Sequence, residues 1–354
     1  LQNEDQKKGL KTIILNIALP AMIFVALLKI EINPDLLILP VLALVFNIVM
    51  IFLTKYSLPF FGIRSDTPAM RTLMLLLPSL APGLTCFPFI VEYLGDDVLA
   101  WAALADIGNK LFVLVLAYLL AMSWYYKNQN LKAKSNGQKV KELLIAMVSE
   151  PINMVILVAI VLLSFGFNMN SMPGFLSESI LMMKDMMTPL VLLFIGIAVI
   201  FKWDQLRMIT SLLTLRAGVT FLLSGLFIWL VPMPSEAAIL LAVVFPQSAV
   251  SFWPFAHMSA IRKFEYENEK QKDNPTFDLE MGINVLAVSM PFSTLLILGV
   301  FTSGSYFTLP LNIISIGGLL VGVALLPKVI QWVKSTDFSF ENIREKELKD
   351  SHAD

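Results

Sequence analysis

The chain has 354 residues, of which 57% are hydrophobic and only 15% are charged, and its mean hydropathy is +0.75. Soluble domains carry about a quarter of charged residues, so an ordinary soluble globule is excluded. The 26 basic and 27 acidic residues leave a net charge of −1, which excludes a nucleic-acid binder that relies on a basic surface. One cysteine excludes a disulfide framework, and two histidines are too few for a His-based metal site. We therefore expect an integral membrane protein without metal or cofactor.

Long apolar runs of about 18 or more residues predict membrane-spanning helices. The runs are continuously apolar rather than alternating, which favours an all-α polytopic fold over a β-barrel. Ten spans are predicted, at residues 10–28, 35–60, 71–94, 97–125, 142–166, 175–201, 205–231, 236–261, 279–302 and 309–334.

Lysine and arginine in the connections predict the orientation of these spans. The even-numbered connections are basic, most clearly residues 126–141 with their lysines, whereas connections such as 95–97 and 232–236 have no Lys or Arg. This alternation places both ends of the chain in the cytoplasm, as in a multi-pass protein of a bacterial inner or plasma membrane. The start at Leu1 fits either a mature N-terminus or an N-terminally truncated fragment.

Spans 1–4 can be laid over spans 6–9, and the charges of the connections give the two units opposite orientations. Such an inverted repeat is the architecture of many secondary transporters. Spans 3 and 8 are unusual because they contain several prolines, and each interior proline costs a helix about 3 kcal/mol. Backbone groups freed in lipid must be satisfied by protein or a water-filled cavity. We expect a discontinuous, ligand-lining helix in each half; the alternative is a pair of kinked helices that pack around a neighbour.

Small polar residues and prolines near these two breaks define the predicted solute site. Its members are Gly83, Thr85, Cys86, Pro88, Pro246, Gln247, Ser248, Ser251 and Pro254. Their side chains are neutral, whereas the main-chain N–H groups at a half-helix start favour an anion. An organic carboxylate therefore suits the site better than a cation.

Ionisable residues within the spans are candidates for coupling to an ion. Asp106 lies near the middle of span 4, with Asn109 and Lys110 on the same helix face. It either couples transport to H⁺ or Na⁺ or forms a self-satisfied i,i+4 pair with Lys110. His257 follows the second break and has either a polar lining or capping role or a role as a pH switch. Arg216 is expected to snorkel from span 7 to the membrane surface.

The order of several short motifs resembles the auxin efflux carrier family, which includes the plant PIN-FORMED carriers and bacterial permeases for malate-like dicarboxylates. The matching segments are residues 18–24, residues 83–88 with Gly95, residues 105–109, residues 150–153, residues 245–247, residues 252–256 and residues 284–298.

The resemblance implies two inverted five-helix units with two broken helices that cross at the substrate site. Spans 1, 5 and 6 would belong to a scaffold against which the other helices move. The expected division is a first repeat without the family's first helix (1–125), a lysine-rich cytoplasmic linker (126–141), a second repeat (142–302), an additional membrane helix (303–334) and a charged cytoplasmic tail (335–354). The chain departs from the family at Ala81, where the family usually has Asn, and at Ser251, where plant carriers have proline; both departures leave the substrate open.

The sequence thus predicts a secondary transporter that moves a small organic anion by an elevator-like motion, with a homodimer as a possible assembly. One alternative is a sodium- or proton-coupled symporter for a bicarbonate or bile-acid-like solute on a related fold. Another is a non-transporting membrane sensor. An enzyme is not expected, because the spans lack a nucleotide-binding loop, paired aspartates and a His-Glu-x-x-His motif.

Overall fold

The computed structural model describes residues 9–10, 12–29, 34–129, 151–187, 189–190, 193, 203–267 and 275–326. Within these ranges all regular secondary structure is helical and no β-strand occurs, which confirms the predicted all-helical class. Several predicted segments lie wholly or partly outside the described residues. They are residue 11 of span 1, residues 130–141 of the linker, residues 142–150 of span 5, residues 188, 191–192 and 194–201 of span 6, residues 327–334 of span 10 and the tail at 335–354.

The main helices of the described ranges are numbered α1 to α13. They are α1 (Leu19–Lys29), α2 (Ile38–Ser57), α3 (Pro68–Leu76), α4 (Phe87–Leu94), α5 (Asp96–Lys110), α6 (Ala117–Asn128), α7 (Pro151–Ser164), α8 (Gly174–Asp185), α9 (Trp203–Leu230), α10 (Glu236–Val244), α11 (Phe252–Glu267), α12 (Leu279–Thr302) and α13 (Pro310–Leu326). A π-helical segment, Leu111–Leu116, joins α5 to α6.

Five stretches of the described residues are long and apolar enough to cross a membrane. They are Ile38–Phe61, Asp96–Asn128, Arg207–Leu230, Glu236–Arg262 and Leu279–Thr302. Two shorter apolar helices, Asn16–Val25 and Pro310–Leu326, fall within predicted spans 1 and 10. The chain therefore has helices suited to an integral membrane protein, and ten complete spans remain a prediction.

The polarity of α2 is the reverse of that in a soluble protein. Its buried face carries Asn47 and Thr54, whereas Val41, Val45 and Phe52 are about half exposed. A soluble helix would expose the amide and bury the apolar side chains. A lipid environment explains both the exposed apolar face and the buried polar face of α2. Lipid solvates the apolar side chains, whereas the amide of Asn47 needs a hydrogen-bond partner inside the protein.

Two helices end early and are followed by short non-helical segments. Helix α3 starts at the N-cap Thr67, whose side chain accepts the Met70 N–H at 3.2 Å, and it ends at Leu76, just before Pro78. Helix α10 starts at the N-cap Ser235 and passes into a 3₁₀ turn, Phe245–Gln247. Proline disfavours helical geometry in the residue that precedes it and removes a donor, so both sequences favour a stop. We call residues 77–81 the first break and residues 248–251 the second break.

Two clusters of buried side chains surround the breaks. The first includes Leu19, Phe87 and Val243 from α1, α4 and α10; the second includes Leu73, Leu212 and Val285 from α3, α9 and α12. Leu80 of the first break belongs to the first cluster, whereas Val250 of the second break belongs to the second. Non-helical backbone is thus enclosed by apolar packing on both sides, and its polar groups must be satisfied within the protein.

Helix α1 packs against α5, α7 and α8. The ammonium group of Lys184, in the last turn of α8, lies 2.8 Å from a carboxylate oxygen of Asp96, at the start of α5. Both side chains are 16% exposed, so Lys184 forms its ion pair within the protein. The helices of predicted spans 1, 5 and 6 therefore form one packed group, which meets α5.

A polar network at the end of α11 fixes the connection to α12. Glu265 is fully buried and accepts the backbone N–H of Thr276 at 2.9 Å, while the guanidinium of Arg262 lies 3.1 Å from the same carboxylate. Arg71 of α3 donates to the Thr276 carbonyl at 2.8 Å. These contacts satisfy a buried carboxylate and hold the start of α12 against α3 and α11.

Candidate functional site

The two breaks lie against each other and are joined by backbone hydrogen bonding. The Ala81 N–H donates to the Ala249 carbonyl at 2.7 Å. Side chains of the first half complete the contact, because Ala249 N–H donates to the Thr85 hydroxyl at 3.1 Å and Ser251 N–H donates to the Ser79 hydroxyl at 2.9 Å. We call this hydrogen-bonded pair of breaks the crossing.

Asn109 of α5 binds both backbone groups of one residue in the first break. Its amide nitrogen donates to the Leu80 carbonyl at 2.9 Å, and its amide oxygen accepts the Leu80 N–H at 3.2 Å. Asn47 of α2 donates to the Pro78 carbonyl at 2.7 Å and to the Asn109 oxygen at 3.2 Å. Two buried amides thereby replace the helical hydrogen bonds that the break gives up.

Asp106 stands beside this amide pair and is also buried. Its carboxylate accepts from the Asn109 amide at 2.8 Å and lies 3.7 Å from the ammonium group of Lys110, one turn along the same helix. The structure therefore shows the i,i+4 contact that one interpretation of the sequence expected. It also ties this pair, through Asn109, to the first break.

Arg216 lies midway along α9 and reaches both breaks. Its Nε donates to the Leu77 carbonyl at 2.8 Å, and one terminal nitrogen donates to Ser79 O at 3.2 Å and to Ser248 O at 2.9 Å. The residue is 5% exposed, so the expectation that it snorkels to the membrane surface is wrong. An arginine in the middle of an apolar run, with no acid one turn away, was the sequence signal that could have found it.

The remaining predicted site residues divide into two groups. Ser248, Ser251, Thr85 and Gln247 are buried in or beside the crossing, and Cys86 is buried immediately after Thr85. The Gln247 amide nitrogen donates to Ala217 O at 3.2 Å, whereas its oxygen has no hydrogen-bond partner in the described part of the chain. These groups are close enough to the breaks to share one site.

The other predicted residues have structural roles next to the crossing. Pro88 is in the first turn of α4, where a missing N–H costs little, and Pro246 is the second residue of the 3₁₀ turn before the second break. Gly83 leaves room for the Leu19 side chain, since a Cβ there would come within 2.8 Å of it. Pro254 is buried in the first turn of α11.

His257 lies away from the crossing, on α11. Its Nε2 is 3.0 Å from the Val113 carbonyl, in the π-helical segment Leu111–Leu116, where the usual i,i+4 bonding is shifted. The ring also meets Tyr118 edge-on, with centroids 5.5 Å apart. This geometry fits the capping role that the sequence left open.

A separate cavity of about 310 Å³ lies between α1, α7 and α8. Apolar side chains such as Phe24, Val155 and Met183 line it, together with Asn16. None of its lining residues belongs to the crossing, so the cavity and the crossing are distinct features. Among the described residues no group of three or more His, Cys, Asp or Glu side chains could hold a metal ion.

Comparison with known proteins gives no functional assignment, so the geometry of the crossing is the basis for interpreting function. No model of a known protein family matches the chain, and no curated protein sequence matches it.

Replacing Thr85 by valine keeps the side-chain shape and removes the hydroxyl that Ala249 N–H uses. We expect a loss of about 1–3 kcal/mol, because a buried donor is left unpaired, and a correspondingly lower Tm of the purified protein. Thr302→Val is the matched control, since the Thr302 hydroxyl bonds a carbonyl four residues back at the exposed end of α12. Equal Tm values for the two variants would contradict the contact between the breaks.

Proposed function

We propose that the protein is a secondary transporter of a small organic anion that works by an elevator-like exchange between the two sides of the membrane. The main observation that supports this proposal is the crossing. Two non-helical segments, distant in sequence, bond to each other among apolar helices. Broken helices of this kind form the substrate sites of transporters built from inverted repeats. The proposed architecture is the pair of inverted five-helix units to which the sequence motifs point.

The packing supports a division into a scaffold and a moving part. Helices α1, α7 and α8 form the proposed scaffold, and the crossing with α2–α6 and α9–α12 forms the proposed transport domain. The ion pair of Lys184 with Asp96 lies where these two groups of helices meet. An elevator needs such a division, because the solute site must travel as a unit past a fixed surface.

Charge at the crossing favours an anion over a cation. Arg216 has no carboxylate partner among the described residues, whereas Asp106 is matched by Lys110. The fixed side chains of the crossing therefore carry a net positive charge. The sequence placed this preference in backbone N–H groups, but those of Leu80, Ala81, Ala249 and Ser251 are used within the crossing. The charge of the Arg216 guanidinium remains to attract an anion.

Gln247 supplies a specific contact point for the proposed solute. Its amide oxygen is buried and unpaired within the described residues, and such a group costs about 1–3 kcal/mol until a donor reaches it. A hydroxyl or bound water accompanying the carboxylate solute is the proposed donor. We propose that the solute binds next to this oxygen and Arg216.

Transport by reconstituted vesicles tests the proposal. Vesicles loaded with candidate dicarboxylates, with and without proton or sodium gradients, are expected to show protein-dependent exchange of an organic anion and none of organic cations. Cation exchange without anion exchange would contradict the proposed solute class. Exchange of neither solute, by protein that retains its Tm, would favour the sensor alternative.

Gln247→Ala is expected to lower the exchange rate at least tenfold at limiting solute, since about 1.4 kcal/mol of binding energy corresponds to a factor of ten. Met183→Ala is the matched control, because Met183 lines the separate cavity. Rates reduced equally in both variants would place the solute elsewhere.

A further inference from the structure

Arg216 is a buried arginine whose hydrogen-bond partners in the described part of the chain are all backbone carbonyls. They come from both breaks: Leu77 and Ser79 from the first, and Ser248 from the second. Within the described ranges no carboxylate forms an ion pair with it, although it is only 5% exposed. A buried charge needs compensation, and these three carbonyls are what the protein provides.

The carbonyls stand at the C-terminal ends of two half-helices. Helix α3 ends at Leu76, directly before Leu77, and the 3₁₀ turn after α10 ends at Gln247, directly before Ser248. The C-terminal end of a helix carries a partial negative charge of about 0.5 elementary charge. Two such ends stabilise one guanidinium as they would stabilise a bound metal cation, which explains how a charged arginine is held in the interior.

In transporters with broken helices, unwound carbonyls and half-helix C-terminal ends are the groups that coordinate Na⁺. In this protein, groups of the same kind accept hydrogen bonds from the Arg216 side chain instead. Another potential ligand for a cation, the Asp106 carboxylate beside the first break, already lies 3.7 Å from the Lys110 ammonium group. Among the described residues, the carbonyls of the breaks and the Asp106 carboxylate therefore already contact positively charged side chains of the protein.

We propose that Arg216 is the built-in cation of the crossing, so that the solute anion binds without a co-bound alkali cation. This inference rests on the proposed transport function. It states that the anion is transported without sodium rather than together with it. The positive charge that a sodium-coupled carrier takes from solution is supplied here by the protein. The driving ion of such a carrier then has no site between the two breaks.

Thermal unfolding of the purified full chain tests this inference without a transport assay. The wild type is expected to have the same Tm in equal concentrations of sodium, potassium and choline chloride. Arg216→Lys keeps the charge but loses the planar fork, so its Tm is lower and equally insensitive to the choice of cation. Arg216→Gln frees the carbonyls, and its Tm is expected to rise when choline is replaced by sodium.

Arg207→Gln, on the same helix but exposed, is the matched control and is expected to behave as the wild type. A sodium-specific rise in the Tm of the wild type, or anion exchange that requires sodium, would overturn the inference and leave anion transport intact. If Arg216→Gln does not fold, the Tm values of the wild type and Arg216→Lys in the three salts still test the inference, because a sodium-specific rise in either would contradict it. Absence of anion exchange combined with a cation-independent Tm would instead reject the transport function and retain the role of Arg216.

Discussion

Replacing Asn109 by leucine is expected to abolish solute exchange and to lower the stability of the protein by about 3 kcal/mol or more, because several buried polar groups lose a partner together. The Asn109 amide satisfies both the N–H and the carbonyl of Leu80, accepts from Asn47 and donates to Asp106. Leucine has a similar volume, so the variant removes hydrogen bonds while it largely keeps the packing. Tm and exchange rate, measured on the same preparation, report the two effects.

Asn170→Leu serves as the control for Asn109→Leu, since Asn170 is exposed in the connection between α7 and α8. We expect its Tm and exchange rate to stay near those of the wild type. An Asn109→Leu protein that exchanges solute at the wild-type rate would show that the first break does not depend on α5.

A large loss of stability and of exchange activity is also expected for Gly108→Ala, at the residue that precedes Asn109. At Gly108, helix α5 approaches α2 so closely that a Cβ would overlap the Pro40 carbonyl group. The obstacle is backbone rather than a flexible side chain, so the helices must separate, and overpacking of this kind costs about 1–3 kcal/mol. The separation also pulls Asn47 away from Asn109. We expect a lower Tm and a loss of exchange activity.

The same substitution at Gly318 of α13 gives the opposite expectation. A Cβ there meets nothing within 4 Å, and alanine has the higher helix propensity by about 1 kcal/mol. Gly318→Ala should therefore leave the Tm unchanged or raise it slightly. If Gly108→Ala and Gly318→Ala shift the Tm in the same direction by the same amount, the close contact between α2 and α5 is contradicted.

The membrane character and the helical class were predictable because they depend on composition and on the length of apolar runs. Prolines 78, 82 and 246 also stand beside the residues that leave helical geometry, since proline acts locally on the backbone. These features need no knowledge of which helices are neighbours. The topology, the inverted repeat and the auxin efflux carrier resemblance remain predictions.

Partners distant in sequence could not be derived in this way. The role of Arg216 depends on carbonyls 137 and 139 residues earlier in the chain, and its charge alone indicated a surface position. The hydrogen bond of Ser251 to Ser79 spans 172 residues. The use of backbone N–H groups within the crossing likewise became visible only once the two breaks were seen together. In the proposed function, a side chain therefore replaces these backbone groups as the main attraction for the anion.

The two breaks touch each other at the crossing, and a disulfide engineered between them is a direct test of this contact. A backbone hydrogen bond of 2.7 Å joins Ala81 to Ala249, and a disulfide spans Cα atoms roughly 4.4–6.8 Å apart. In a Cys86→Ala background, Ala81→Cys/Ala249→Cys is expected to lose both thiols on oxidation in the membrane, as counted by maleimide labelling after denaturation. The pair Ala81→Cys/Ala237→Cys, with its second cysteine at the far end of α10, is expected to keep both. If the two pairs remain equally reactive after oxidation, the breaks do not meet and the proposed site does not exist.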